Sequence, residues 1–213
     1  MNLIVLDAGN AYELDGFNKL LLRKPYSNKT IIEQYCQLFN IKKPTIVTGF
    51  RAIELMNQYP EFNYIHNANW SYSASSYSLS LALTSSPSIV VANDLFLNEK
   101  TVAKLAKHDN CILVRKNDNR RKTSLSAVVK DNKLVEIKQG RYPGSNLELL
   151  SIFKITDKKL LEQWKKNCVK NPDLYAGDNL PISSKIAVIE ITNNSNIIEI
   201  NTPEDYIKSI EIL

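Results

Sequence analysis

Apolar residues along the chain fall into short dense runs, and between them lie stretches whose apolar positions recur at helical spacing. Asn2 to Leu6 opens the chain as a continuous aliphatic run, the pattern of a strand buried on both faces of an α/β sheet. A long turn follows. Thr30 to Phe39 then sets Ile31, Ile32, Tyr35 and Leu38 on one helical stripe, with Thr30 and Glu33 spaced as a capping pair. Pro44 to Thr48 predicts a strand closed by Gly49, Ala52 to Gln58 a helix, Phe62 to His66 a strand, and Ser75 to Leu83 a helix. Ser88 to Ala92 is a second dense apolar run. Strands alternating with short helices imply βαβ crossovers and a mixed, mostly parallel sheet.

The rhythm changes after Asp94. Glu99 to Lys107 reads as a helix and Cys111 to Arg115 as extended chain, and Leu125 to Lys130 and Leu134 to Lys138 flank a hairpin turn at Asp131-Asn132. Leu147 to Ile155 predicts a strand, Asp157 to Val169 a helix and Lys185 to Ile191 a strand. The last helix starts at Thr202-Pro203-Glu204-Asp205, with Thr202 as N-cap and Pro203 in the first helical position.

Composition narrows the picture. With 213 residues, 44% hydrophobic and 23% charged, the chain suits one globular domain, 1–213. A formal charge of +5 is compatible with nucleic acid, an anionic membrane face or a small phosphorylated substrate. The basic cluster Arg115 to Lys122 has no interleaved aromatic residues of the kind that stack bases, so it reads as a solvated loop and no nucleic-acid partner is expected. Cys36, Cys111 and Cys168 are odd in number and lack metal-ligand spacing, which implies a reducing cytoplasm. No stretch approaches the ~18 apolar residues of a membrane span and no basic leader opens the chain, so neither membrane nor export is expected.

In open α/β sheets ligands bind beyond the carboxyl ends of the strands, which draws attention to the loop after Leu6 and to Val91-Ala92-Asn93-Asp94. Asp94 there is a turn or capping residue on one reading and a carboxylate holding a divalent cation in the crevice on another. Trp70, Tyr72 and Tyr77 flank a serine-rich stretch and suit a pocket mouth, whereas Trp164 sits at core spacing with Leu160 and Leu161. His66 and His108 read as structural.

The order of parts resembles the nucleotidyltransferases of the sugar-1-phosphate type, and more narrowly the bacterial CTP:phosphocholine cytidylyltransferase group. That family opens with a strand and Leu-Ala-Ala-Gly-x-Gly-x-Arg, then a lysine, then Lys-Pro-Leu-Ile-Glu. Leu6-Asp7-Ala8-Gly9, Lys19 and Lys29-Thr30-Ile31-Ile32-Glu33 stand in those places. Val47-Thr48-Gly49-Phe50 is similar to the family's Val-x-Gly-Tyr, and Asn67 with Tyr77-Ser78-Leu79 to its Asn…Tyr-Ser-Leu. Val91 to Phe96 is similar to the strand ending in the metal aspartate, and Glu199-Ile200-Asn201-Thr202-Pro203-Glu204-Asp205-Tyr206 to the closing Glu-Ile-Asp-Thr-x-x-Asp-Tyr.

The resemblance implies an α/β, Rossmann-like (GT-A-like) nucleotidyltransferase fold with flanking helices, monomeric or homodimeric, whose acceptor-binding portion spans roughly 115–185. It further implies transfer of CMP from CTP to the phosphate or phosphonate of a small acceptor, with release of pyrophosphate and with Mg2+ as cofactor. Lys19 and Asp94 would be catalytic. Leu6, Ala8, Gly9, Asn10, Lys19, Asn67, Ser78 and Asn93 would bind the nucleotide, and Asp94, Glu199 and Asn201 the metal. Tyr175 and Asp178 would meet the acceptor, although the residues alone equally allow a packed tyrosine and a turn aspartate. The same scaffold also admits a sugar-1-phosphate enzyme using UTP or dTTP, and a nucleotide-binding protein with weakened turnover.

Three departures from the family pattern matter. The second loop glycine is replaced by Ala11 or Tyr12 and the loop arginine is missing, although bare backbone is what lets such a loop approach phosphate oxygens. Lys19, Arg23 and Lys24 are the neighbouring cations that can supply the charge. Asp7 puts an acid where the family has a small residue, and Asn201 puts a neutral amide where it has a second metal aspartate.

Overall fold

The computed structural model describes residues 1–24, 26–117, 124–145, 147–192 and 197–212. The part of the basic cluster from Asp118 to Lys122 therefore lies outside the described residues.

Seven elements build the first half. They are β1 (Asn2–Asp7), α1 (Ile31–Phe39), β2 (Thr45–Thr48), α2 (Ala52–Gln58), β3 (Asn63–His66), α3 (Ser75–Ala82) and β4 (Ser88–Ala92). β1 pairs in parallel with β2 and β4, and β2 with β3, as right-handed crossovers through short helices require. Alternate residues of β1 feed two cores. Leu3 and Val5 pack with Ile31, Ile32 and Tyr35 on one face, and Ile4 packs with Leu79, Leu83 and Trp164 on the other. The aliphatic run has no polar face because both of its faces are covered. α1 starts on a capping box in which Thr30 Oγ1 accepts from Glu33 N at 3.3 Å and Glu33 Oε2 from Thr30 N at 2.8 Å.

The second half comprises β5 (Leu95–Phe96), α4 (Glu99–Ala106), β6 (Cys111–Lys116), β7 (Leu125–Lys130), β8 (Lys133–Gln139), β9 (Leu147–Ile155), α5 (Lys158–Lys170), β10 (Ala187–Ile191), β11 (Ile198–Glu199) and α6 (Pro203–Ile212). The nine-stranded sheet has the order β3-β2-β1-β4-β9-β6-β10-β8-β7. β9 runs antiparallel to β4 and β6, and β8 antiparallel to β10 and β7. The sheet is therefore mixed, with only β8 and β9 running against the rest. Asp131 and Asn132 turn the β7–β8 hairpin with φ of 49° and 58°, the left-handed pair that a tight primed turn needs.

β10 begins at Ala187, two residues later than the apolar pattern suggests, because Ser183 holds Lys185 N through its hydroxyl and Ile186 N through its carbonyl. The three cysteines are free. Among the described residues no helix is long and apolar enough to cross a membrane.

Candidate active site

The carboxyl ends of β1 and β4 open on a cavity of about 430 Å3. Leu6, Ala8, Gly9 and Asn10 line it from the β1 loop, Asn93 and Asp94 from the β4 turn, Ser78 from α3, and Tyr175 from the segment after α5. A side chain at Gly49 would meet the Ala8 carbonyl at 2.4 Å, and Phe50 N donates to that carbonyl at 3.0 Å, so the loop is tied down to the end of β2. Gly9 is the opposite case: a Cβ there meets nothing within 4 Å, and its backbone faces open cavity. Beyond Asn10 the chain does not continue as an open glycine loop. It folds into a 3-10 turn, Tyr12–Leu14, closed by Asp15 at φ 52° and Gly16 at φ 71°.

A second 3-10 turn, Lys19–Leu21, carries Lys19, and Asn18 caps it by accepting from Leu20 N at 2.9 Å. Lys19 Nζ donates to Asn201 Oδ1 at 2.7 Å and lies 3.6 Å from Asp94 Oδ2, with both charged side chains largely buried. Asn201 Nδ2 donates in turn to Glu199 Oε1 at 2.9 Å. Asp94, Glu199 and Asn201 meet because β5 and β11 pair as a two-stranded ribbon, with Ile200 N donating to Asp94 O at 2.7 Å. The Tyr35 hydroxyl braces the turn from below, 2.7 Å from Leu95 O and 3.0 Å from Ala92 O, and accepts from Leu95 N.

The charges around this end are unbalanced. Burial, then the neighbouring charge of Asp94, push Glu199 up to about 7, against the pull of Asn201 and Arg115. The neighbouring Glu148 behaves differently. Glu148 Oε2 accepts from Arg115 Nε at 2.6 Å and Asn117 Nδ2 at 2.8 Å, and its Oε1 from Ser124 Oγ at 2.6 Å. Burial works to raise Glu148, but these bonds and the arginine outweigh it and hold the carboxyl below its ordinary range.

The remaining anticipated residues divide into liners and supports. Ser78 lines the cavity and accepts from Asn67 Nδ2 at 3.0 Å, while Asn67 itself is fully buried behind the wall. Asn93 lines the cavity, and its amide donates to Asp7. Tyr175 lines the far end. Asp178 is outside the lining and accepts from Tyr175 N at 3.1 Å, so it shapes the tyrosine's turn. Trp70 reaches the cavity and packs on Phe50 at 5.2 Å, whereas Tyr72 is 87% exposed and outside the lining. Trp164 is core, donating to Ala176 O. Sequence reading missed Glu148 and Ser124. The available signal was a lone acid inside the apolar strand Leu147–Ile155, a position that is buried only when the carboxylate is paired.

No family model and no curated protein matches the chain. Solved structures match over its whole length. The inositol-1-phosphate CTP transferase from T. maritima superposes with a TM-score of 0.74 at 16% identity, covering 99% of this chain and 95% of that one. The CTP:phosphocholine cytidylyltransferase from Streptococcus pneumoniae gives 0.74 at 20% identity, covering 99% and 98%. A putative glucose-1-phosphate thymidylyltransferase from Bacillus anthracis gives 0.72 at 16%, covering 100% and 94%. The chain has the nucleotidyltransferase fold.

Within that fold the donors at the ribbon suit a hard cation. As ligands Asp94, Glu199 and Asn201 offer only oxygen, and the repulsion from Asp94 that adds to burial in raising Glu199 is what a divalent ion would relieve. Among the described residues no group of three or more His, Cys, Asp or Glu is placed to hold a metal, so a cation at the ribbon would need the Asn201 amide as its third protein donor. Lys19 already meets part of the demand for positive charge there.

Proposed function

We propose that the protein transfers CMP from CTP to the phosphate or phosphonate oxygen of a small acceptor and releases pyrophosphate. The observation that carries this reading is the meeting of Lys19, Asp94, Glu199 and Asn201 at one end of a cavity floored by the open backbone of Gly9. The names of two of the similar structures, each a CTP enzyme, support the choice of nucleotide.

The acceptor oxygen is already anionic, so no histidine base or nucleophilic serine is needed. It attacks the α-phosphorus in line as the bond to the β-phosphate oxygen breaks, and alignment and charge neutralisation do most of the work. Asp94, Glu199 and Asn201 would hold Mg2+, which would supply Lewis-acid stabilisation of the α-phosphate. Lys19 offsets phosphate charge from within the same cluster. The backbone at Ala8 and Gly9, with Leu6 and the Ser78 hydroxyl, frames the pyrimidine, and Asn67 orients Ser78. Elsewhere in the lining the ring of Tyr175 and the ionised Glu148 face the acceptor.

The test is a pyrophosphate-release screen that crosses CTP, UTP, dTTP and ATP with phosphocholine, aminoethylphosphonate and sugar 1-phosphates in the presence of Mg2+. Turnover is expected with CTP and a phosphocholine- or phosphonate-type acceptor. Turnover only with UTP or dTTP and a sugar phosphate moves the protein to the sugar-nucleotide branch. A second reading follows from the Lys19–Asn201 bond and the compact turn at Tyr12–Leu14: a nucleotide-binding protein without turnover. In that case CTP raises the melting temperature and no acceptor gives product.

A further inference from the structure

Asp7 has no role in the reaction above. It ends β1, is 3% exposed, and does not line the cavity. Both of its carboxylate oxygens are nonetheless engaged: Oδ1 accepts from Asn93 Nδ2 at 2.7 Å and Oδ2 from Asn18 Nδ2 at 2.8 Å. Each of these amides belongs to the residue immediately before a charged group of the site, Asn18 before Lys19 and Asn93 before Asp94. Asn18 also caps the turn that carries Lys19. A single carboxylate thus fastens two turns to the end of a central strand, and the charges they carry stand 3.6 Å apart.

We propose that Asp7 is a positioning residue, a clamp that sets Lys19 and Asp94 in register through Asn18 and Asn93. The proposal rests on the nucleotidyltransferase reading. A carboxylate is the side chain the place calls for, because both facing groups are N–H donors and it offers acceptors on both sides. Burial pushes Asp7 up to about 7, and the two amides and the charge of Lys19 work against that rise and favour the ionised form. An asparagine would turn its own NH2 toward one of the two donors. An alanine would leave the buried amide of Asn18 and the cavity-wall amide of Asn93 each short of a partner. The clamp also accounts for the altered loop. Residues 10–16 fold on themselves, so the backbone of that segment is not what carries Lys19 to the site. Asp7 makes that connection from the rigid end of β1.

The decisive variant is Asp7→Asn in the full chain, assayed with CTP, Mg2+ and phosphocholine or aminoethylphosphonate. We expect kcat to fall by about 10²-fold, as a small misplacement of reacting groups does, with the acceptor KM unchanged. In a Lys19→Ala background the same substitution should cost less than it does in the wild type, because one of the two groups it places is gone. An unchanged kcat, or losses that simply multiply in the double variant, overturns the proposal. If Asp7→Asn does not fold, Asn18→Ala and Asn93→Ala each release one arm and should each lower kcat; full activity in both overturns it equally.

The side-chain amide NMR signals of Asn18 and Asn93 read the clamp without turnover. Both should move in Asp7→Asn, and signals that ignore the change show that the contacts do not exist. An inactive wild type with both signals responsive removes the reaction, and the positioning role with it, while the contacts stand. The two failures are therefore distinguishable.

Discussion

Glu148 and Glu199 approach the same arginine, and their acid–base properties move in opposite directions. Glu148 is met by Arg115 Nε, Asn117 and Ser124 and stays ionised. Glu199 has a longer contact to Arg115 at 3.3 Å, one amide donor from Asn201, and the negative charge of Asp94 beside it. Burial works to raise both carboxylates, and what turns them in opposite directions is the number of donors and the sign of the neighbour. Glu148 is electrostatically complete as it stands. The Asp94–Glu199 pair is short of positive charge, a shortage that a divalent cation would relieve.

The sharpest way to break this contrast is Asp94→Ala. Pyrophosphate release should fall by about 10³-fold or more while circular dichroism and melting stay close to wild type, since a largely buried charge at the reacting end is removed without touching the core. Full activity would remove the metal assignment. Lys19→Ala should cost about 10²–10³-fold in kcat, the range for losing one preorganised donor, with a smaller change in acceptor KM.

At Glu148 the expected effect is on stability. Glu148→Ala leaves Arg115 without its principal partner and should cost about 3 kcal/mol in urea unfolding. A loss as small as that of an exposed pair would mean that the wall is not built on this contact.

The subtlest test is by pH. A carboxyl raised in the folded state favours the neutral form, so its contribution to stability is full below about 4.5 and is lost as pH rises through about 7. The stability difference between wild type and Glu199→Gln should therefore shift against wild type over that window when metal is absent. Carboxyl NMR should place the Glu199 midpoint near 7 and that of Glu148 below 4.5, and saturating Mg2+ should draw the Glu199 midpoint down. Equal midpoints for the two would erase the distinction.

Much of the scaffold could be read in the chain before its structure was known, because its signals are local. Ala52–Gln58, Ser88–Ala92, Leu125–Lys130 and Leu147–Ile155 lie where periodicity and punctuation put them, as does the capping box at Thr30. The β5–β11 ribbon could not be read, since two-residue strands carry no period, and their pairing joins segments far apart in sequence. For the same reason the chain order suggested Lys19, Asp94, Glu199 and Asn201 individually but not the bond from Lys19 to Asn201. Glu148 was hidden because a carboxylate's partners are set by tertiary packing, and Asp7 had no explanation until its two amide partners were located.

The ribbon has a temporal consequence. Residues 94 and 199 become neighbours only when the last short strand has docked on the turn after β4, a closure with a large loop-entropy cost. During refolding from urea, competence to bind magnesium and nucleotide should therefore lag behind the recovery of helical signal. Ligand capture would report the arrival of the tail, and fluorescence from the core tryptophan an earlier step.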